Sequence, residues 1–168
     1  MFQKDDYVFY ESGGICKIFD IQFAPLDSMP ADRQYYILQS VHDHNGVSYG
    51  PVDSDKVFLR KLLNREEAQR LMDEIERIAV IEESNAKLLR NKYIEAMHTH
   101  QPVEWVRVIK TVYKRMNADS QKPQRLSETE RSFAENAKRF LYTELALALG
   151  LQEREMEAYI INHIQKLV

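Results

Sequence analysis

From Tyr7 to Leu59 the apolar residues come in short bursts. Tyr7-Val8-Phe9-Tyr10, Ile15-Cys16-Lys17-Ile18-Phe19-Asp20-Ile21 and Tyr35-Tyr36-Ile37-Leu38 are brief, aromatic and β-branched, which is the make-up of strands. Gly13-Gly14, the stretch from Pro25 to Pro30 and His44-Asn45-Gly46 separate them. Asn45-Gly46 predicts a type I′ hairpin turn, because both residues tolerate positive φ. Several short strands within the first 62 residues predict a small, strongly bent β-barrel with little core of its own.

After Leu62 the apolar period becomes helical. Asn64-Arg65-Glu66-Glu67 reads as a capping box, with Asn64 accepting from the main chain and Glu67 reaching back. Leu71, Ile75 and Ile78 follow at helical spacing, and a second helix is expected from Asn85 to about His98, carrying Leu88, Leu89, Tyr93 and Met97. Pro102 suits the first turn of a third helix with Val106, Ile109, Val112, Tyr113 and Met116 on one face. Asn117 to Gln124 is a polar loop. Ser127 and Glu130 form a second capping box, opening a helix with Phe133, Ala137, Phe140, Leu141 and Leu145 that Gly150 stops. A last helix carries Met156, Tyr159, Ile160, Ile164 and Leu167. The expected fold class is α+β, a β module over residues 1–62 and an all-α module over residues 63–168, with no internal repeat.

Composition changes this picture little. Of the 168 residues, 44% are apolar and 29% charged, an ordinary globular balance. The longest apolar stretch, Leu145 to Leu151, is interrupted by Gly150 and is far too short to span a bilayer. The start, MFQKDDYVFY, lacks the basic and apolar regions of a secretory signal, so a soluble cytoplasmic protein is expected. The single cysteine, Cys16, excludes an internal disulfide framework.

Charge changes it more. The net −3 conceals a partition: −4 over residues 1–60, −3 over 61–83, +6 over 84–125 and −2 over 126–168. A basic middle between acidic ends fits local contact with a polyanion better than attraction over the whole surface. The candidate DNA face comprises Lys87, Arg90 and Lys92 on the second helix, and Lys110, Lys114 and Arg115 on the third. Lys122 and Arg125 follow in the loop, and Arg131, Lys138 and Arg139 in the fourth helix. Phosphate contact predicts that these groups cluster in space, whereas a merely solvated surface predicts scatter.

Other chemistry is sparse. Trp105 follows the apolar stripe of its helix and is expected to pack. His42-Asp43-His44 and His98-Thr99-His100 each offer two ligands without a third, a weak basis for a metal site. Cys16 lies in an apolar strand, where a buried, inert thiol is expected. Asp53 and Asp55 suit a turn and a strand end better than paired catalysis. No P-loop, dinucleotide fingerprint, nucleophile elbow or zinc-protease signature occurs. No enzyme activity, cofactor, metal or small-molecule substrate is expected, and no membrane partner.

Several ordered blocks resemble the CarD/CdnL family of bacterial transcription regulators, whose first domain is shared with the transcription-repair coupling translocase. Phe2-x-x-x-Asp6-x-Val8-x-Tyr10 followed by Gly14 is similar to the family's opening F-x-x-G-D-x-V-x-Y…G, with Asp5 in place of the glycine. The block from Pro51 to Arg60 resembles its closing P-x-x-x-[AS]-x-x-V-G-[LV]-R, with Phe58 in place of that glycine. Asn64-Arg65-Glu66-Glu67-Ala68, Leu126-Ser127-x-x-Glu130-Arg131 and Glu144-Leu145-Ala146-Leu147-Ala148 resemble the helical blocks.

The resemblance implies a Tudor-like, SH3-like barrel that binds the RNA polymerase β subunit, then a helical domain that approaches promoter DNA. It places Phe23, Tyr49 and Pro51 at the polymerase contact, Phe23 and Tyr49 standing where some members carry arginine. It places Ala86 where many members carry a tryptophan that wedges into the minor groove. The expected function is regulation of promoter open-complex stability through weak, sequence-independent DNA contact. The alternative is a protein–protein adaptor whose helices bind protein or oligomerise.

Overall fold

The computed structural model describes residues 1–55, 58–118 and 126–165, the last two as main chain only. The chain divides into two compact units, Met1–Leu62 and Leu63–Val168. Of the sequence features above, Lys56, Val57, Lys122, Arg125 and Leu167 fall outside the described residues.

The first unit is an antiparallel sheet of β1 (Tyr7–Tyr10), β2 (Gly14–Phe23), β3 (Gln34–Ser40), β4 (Val47–Pro51) and β5 (Leu59–Lys61). The strand order is β4-β3-β2-β1-β5, so β5 returns to lie beside β1, with Tyr10 opposite Leu59 and Val8 opposite Lys61. Val8, Tyr10, Cys16, Ile18, Tyr36 and Leu38 form the core, with Phe2, Ile21, Val52 and Leu59 packed against it. Burial pushes the Cys16 thiol up to about 11, which leaves almost no thiolate at neutral pH.

A bulge bends β2. The register slips between Ile18 and Asp20, so the inward series runs Cys16, Ile18 and then Ile21, while Phe19 is pushed out and stays 61% exposed. The segment before β1 is tied to this bend. The amide of Asp5 donates to the Ile18 carbonyl at 2.8 Å, and its carboxylate takes the Lys17 ammonium at 2.7 Å. Asp5 does this at φ 73°, the left-handed region that aspartate tolerates and β-branched residues do not.

The hairpin joining β3 to β4 differs from expectation. Neither Asn45 nor Gly46 has positive φ, so no type I′ turn forms. Instead the Asp43 carboxylate accepts the Asn45 amide at 3.0 Å, and the Gln39 side-chain amide donates to the His44 carbonyl at 2.8 Å. A side chain that satisfies the loop's main chain competes with the tight turn, and here it wins.

The second unit holds α1 (Arg65–Glu74), a 3-10 turn (Ile75–Arg77), α2 (Ala86–His98), α3 (Pro102–Asn117), α4 (Glu128–Leu149) and α5 (Glu153–Gln165). Both capping boxes form, Asn64 with Glu67 and Ser127 with Glu130. Asn85 caps α2 by accepting from the Lys87 and Leu88 amides. Pro102 opens α3, and Gly150 ends α4 at φ 68°, where a side chain would be strained. The core gathers Leu89, Tyr93, Val106, Ile109, Leu141, Leu145, Met156 and Ile160 around Trp105, whose ring lies 5.4 Å from that of Phe140. The apolar stripe expected on α3 stops short of Met116, which is exposed in the last turn. Among the described residues no helix is long and apolar enough to cross a membrane.

The Asp5 backbone yields a direct test. Asp5→Gly should preserve the thermal midpoint closely, because glycine adopts this conformation freely, whereas Asp5→Val should lower it clearly. Circular-dichroism melts of the two variants beside wild type check this ordering.

Candidate functional site

Two surfaces, one on each unit, carry the candidate residues. On the first, β4 is an edge strand with its outer rim unpaired by the sheet. The register sets Tyr49 opposite Ile37 and Pro51 opposite Tyr35. These positions alternate with Tyr36 and Leu38, which face the core. Tyr49 and Pro51 therefore share the outer face with Val47, itself 49% exposed. Phe23 pairs with Gln34, two positions from Tyr36, and so belongs to the opposite face. It is exposed at the end of β2. Phe23 and Tyr49 do not form one contact, and period-2 alternation is the reason.

At the position of the family's second glycine, Phe58 packs edge-on against Phe9 with ring centroids 6.4 Å apart. The Arg60 guanidinium lies over the Phe9 ring at 5.4 Å. Asp53 makes a long ion pair with Arg33 at 4.0 Å.

On the second unit the candidate DNA-binding residues meet different fates. Lys110 is a correction. It is only 7% exposed, and its ammonium donates to the carbonyls of Ile75 at 2.8 Å, Glu76 at 3.2 Å and Ile78 at 2.6 Å. Burial pulls its pKa below the ordinary lysine value, partly opposed by the Glu76 carboxylate. Next to it, the Thr111 hydroxyl accepts the Ile81 amide at 2.9 Å. The two side chains fasten residues 75–81 onto α3, so Lys110 is structural and cannot meet phosphate.

Several others are engaged with acids. Lys114 pairs with Glu82 at 2.8 Å, and Lys92 with Glu83 at 3.1 Å. Glu83 is held below the usual carboxylate range first by the Asn85 amide and then by Lys92, so this pair steadies the start of α2. Arg115 Nε meets Glu130 at 2.7 Å in a half-buried pair. Lys138 reaches Glu135 at 3.1 Å and lies over the Tyr113 ring, while Arg139 lies over Phe140. Lys87, Arg90 and Arg131 are exposed, and among the described residues no carboxylate pairs with them. Lys87 and Arg90 are three apart on one side of α2.

Two clefts flank α2. The larger, about 600 Å³, is walled by Glu82, Lys92, Glu95, Glu104 and Arg107, and its charges are largely matched, Arg107 gripping Glu104 at 2.9 Å. The smaller, about 300 Å³, lies between the starts of α2 and α4 and the end of α3, with Ala86 and Arg90 at its rim. His42 and His44 sit in the β3–β4 connection, and the rings of His98 and His100 lie 6.5 Å apart at the end of α2. No group of three or more His, Cys, Asp or Glu side chains among the described residues is arranged to hold a metal.

Residues 2–63 match the family model of the CarD-like/TRCF RID domain, and residues 70–161 match that of the CarD C-terminal domain. The chain belongs to the CarD/CdnL family. The CarD family comprises non-enzymatic regulators associated with transcription that interact with RNA polymerase. No curated protein matches the chain. For this CarD-family protein, the feature that sequence reading missed is the anchoring role of Lys110. The alternation of charge and apolar residues along α3 resembles an exposed lysine until the carbonyls of residues 75–78 are seen above it.

The anchor has a measurable weight. Lys110→Met should lower stability by about 2–4 kcal/mol, because three buried carbonyls lose their donor. Lys114→Glu, on the exposed side of the same helix, should cost about 1 kcal/mol or less. Urea denaturation of both variants checks the contrast.

Proposed function

We propose that this protein binds the RNA polymerase β subunit through the outer rim of β4 and modulates promoter open complexes by weak, sequence-independent DNA contact through its helical unit. The observation that carries the first half is the edge strand whose exposed side chains, Val47, Tyr49 and Pro51, share one face. An extended segment of the partner can add to such an edge, taking affinity from main-chain hydrogen bonds and specificity from alternate side chains. Phe23, on the other face, lies outside this contact.

The second half rests on Lys87, Arg90 and Arg131, the candidate cations without carboxylate partners among the described residues. Phosphate contact through so few groups is intrinsically weak in an acidic chain. Docking on polymerase raises the local DNA concentration enough for a weak site to fill. One observation favours the adaptor alternative: much of the basic surplus is consumed by Glu82, Glu83, Glu130 and Glu135.

Tyr49→Glu should weaken polymerase binding about tenfold or more by placing a charge in an apolar contact, with Phe23→Glu as a control that changes it less than about twofold. Equal effects of both variants in a titration would remove the β4 rim from the contact.

For DNA, the combined variant Lys87→Glu, Arg90→Glu, Arg131→Glu should keep polymerase binding but abolish the effect on open-complex lifetime. In the same variant the salt slope of DNA binding should fall by about 2–3. An unchanged lifetime, with polymerase binding intact, would favour the adaptor.

A further inference from the structure

The 300 Å³ cleft between the starts of α2 and α4 has walls unlike the rest of the surface. Its inner wall is apolar and aromatic: Leu89, Tyr93 and Phe133, with the last two rings 5.6 Å apart. Its rim carries Arg90, and Lys87 stands one turn away. Ala86, the first residue of α2, leaves the mouth open where a larger side chain would narrow it.

The polar groups inside are held in fixed orientations. Glu130 accepts from Arg115 Nε at 2.7 Å, from the Tyr93 hydroxyl at 3.4 Å and from the Ser127 amide at 3.2 Å. With its oxygens so engaged, this carboxylate serves as a bracket for Arg115. The terminal nitrogens of that guanidinium have no partner among the described residues, so they remain donors directed by the Glu130 pair.

We propose that this cleft receives one unstacked, carbonyl-bearing nucleobase, such as thymine, from distorted or melted DNA. The proposal rests on the DNA contact proposed above and specifies what part of the DNA is held. A flat, neutral heteroaromatic ring suits an apolar aromatic wall, its carbonyl oxygens suit arginine donors, and its flanking phosphates meet Lys87 and Arg90 at the rim. Base–aromatic contact of this kind is how proteins commonly hold unpaired nucleotides. A duplex is too large for the cleft, and a free anion would gain nothing from its apolar wall. The protein therefore takes a base into itself instead of pushing a side chain into the DNA.

The test uses the full chain and two end-labelled duplexes that differ at one position, a bulged thymidine or a bulged abasic site. Both are equally flexible, so their affinity ratio isolates the base. Wild type should prefer the thymidine bulge by about fivefold. Thr129→Trp, at an exposed position on the cleft wall, should bring the ratio to one while leaving abasic-bulge affinity within about twofold. Thr129→Ala should keep the preference, and thermal melts confirm that each variant folds. A wild-type ratio of one, or a preference that survives Thr129→Trp, overturns the base pocket. A ratio of one accompanied by binding of N-acetyltryptophanamide in the cleft identifies an aromatic protein side chain as the occupant and likewise overturns it. Separately, duplex affinities untouched by the double variant Lys87→Glu, Arg90→Glu would remove the DNA contact itself.

Discussion

The Lys110 ammonium sits beneath three main-chain carbonyls of the connection that follows α1, and much of the helical unit's geometry depends on it. The 3-10 turn ends with carbonyls that no helix would satisfy, and a buried lysine supplies the donors. Thr111 extends the attachment to Ile81. From there the chain has only to reach Asn85, whose side chain starts α2. The direction of α2, and with it the cleft beside Ala86, is thus set from the middle of α3. A charge buried for this purpose is costly to desolvate and more costly to remove, which concentrates the energetic risk of the unit in a single side chain.

Local signals made much of the fold legible. Capping boxes, the proline at the start of α3 and the glycine after α4 involve residues a few positions apart, and their chemistry is complete within the sequence window that contains them. Trp105 was readable as core for the same reason, since its neighbours at helical spacing are apolar. Asn45-Gly46 misled because the competing group, the Asp43 carboxylate, sits just outside the dipeptide on which turn rules rest. The opposite facing of Phe23 and Tyr49 depends on registers across two strand pairs, information no single strand contains. The Lys110 anchor links positions more than thirty residues apart, beyond any periodicity argument.

Electrostatics on the helical unit are organised by pairing more than by surplus. Counting charges along residues 84–125 suggests a broad basic surface, but each acid nearby captures a particular cation and fixes its orientation. Glu130 shows the principle most fully, since one carboxylate completes a helix cap, orients Arg115 and receives the Tyr93 hydroxyl. Burial and that neighbouring charge both push the Tyr93 phenol upward, keeping it a neutral donor. What remains for an external polyanion is a small group of cations around an apolar recess, a geometry suited to a distorted nucleic acid more than to a smooth duplex.

The return of β5 to β1 has a consequence for how the chain is made. β1 is among the first segments synthesised, yet one of its edges stays open until Leu59–Lys61 arrives to pair with Val8–Tyr10. A nascent chain carrying β1 to β4 has a long loop still to close and an exposed central strand, and it gains the last pairing only after the whole unit has left the ribosome. The helical unit is next in line, and its capping boxes can nucleate turns within a few residues. Synthesis therefore presents the slow, non-local half first and the fast, local half second, so that on the ribosome the sheet's completion is timed by translation of its last strand.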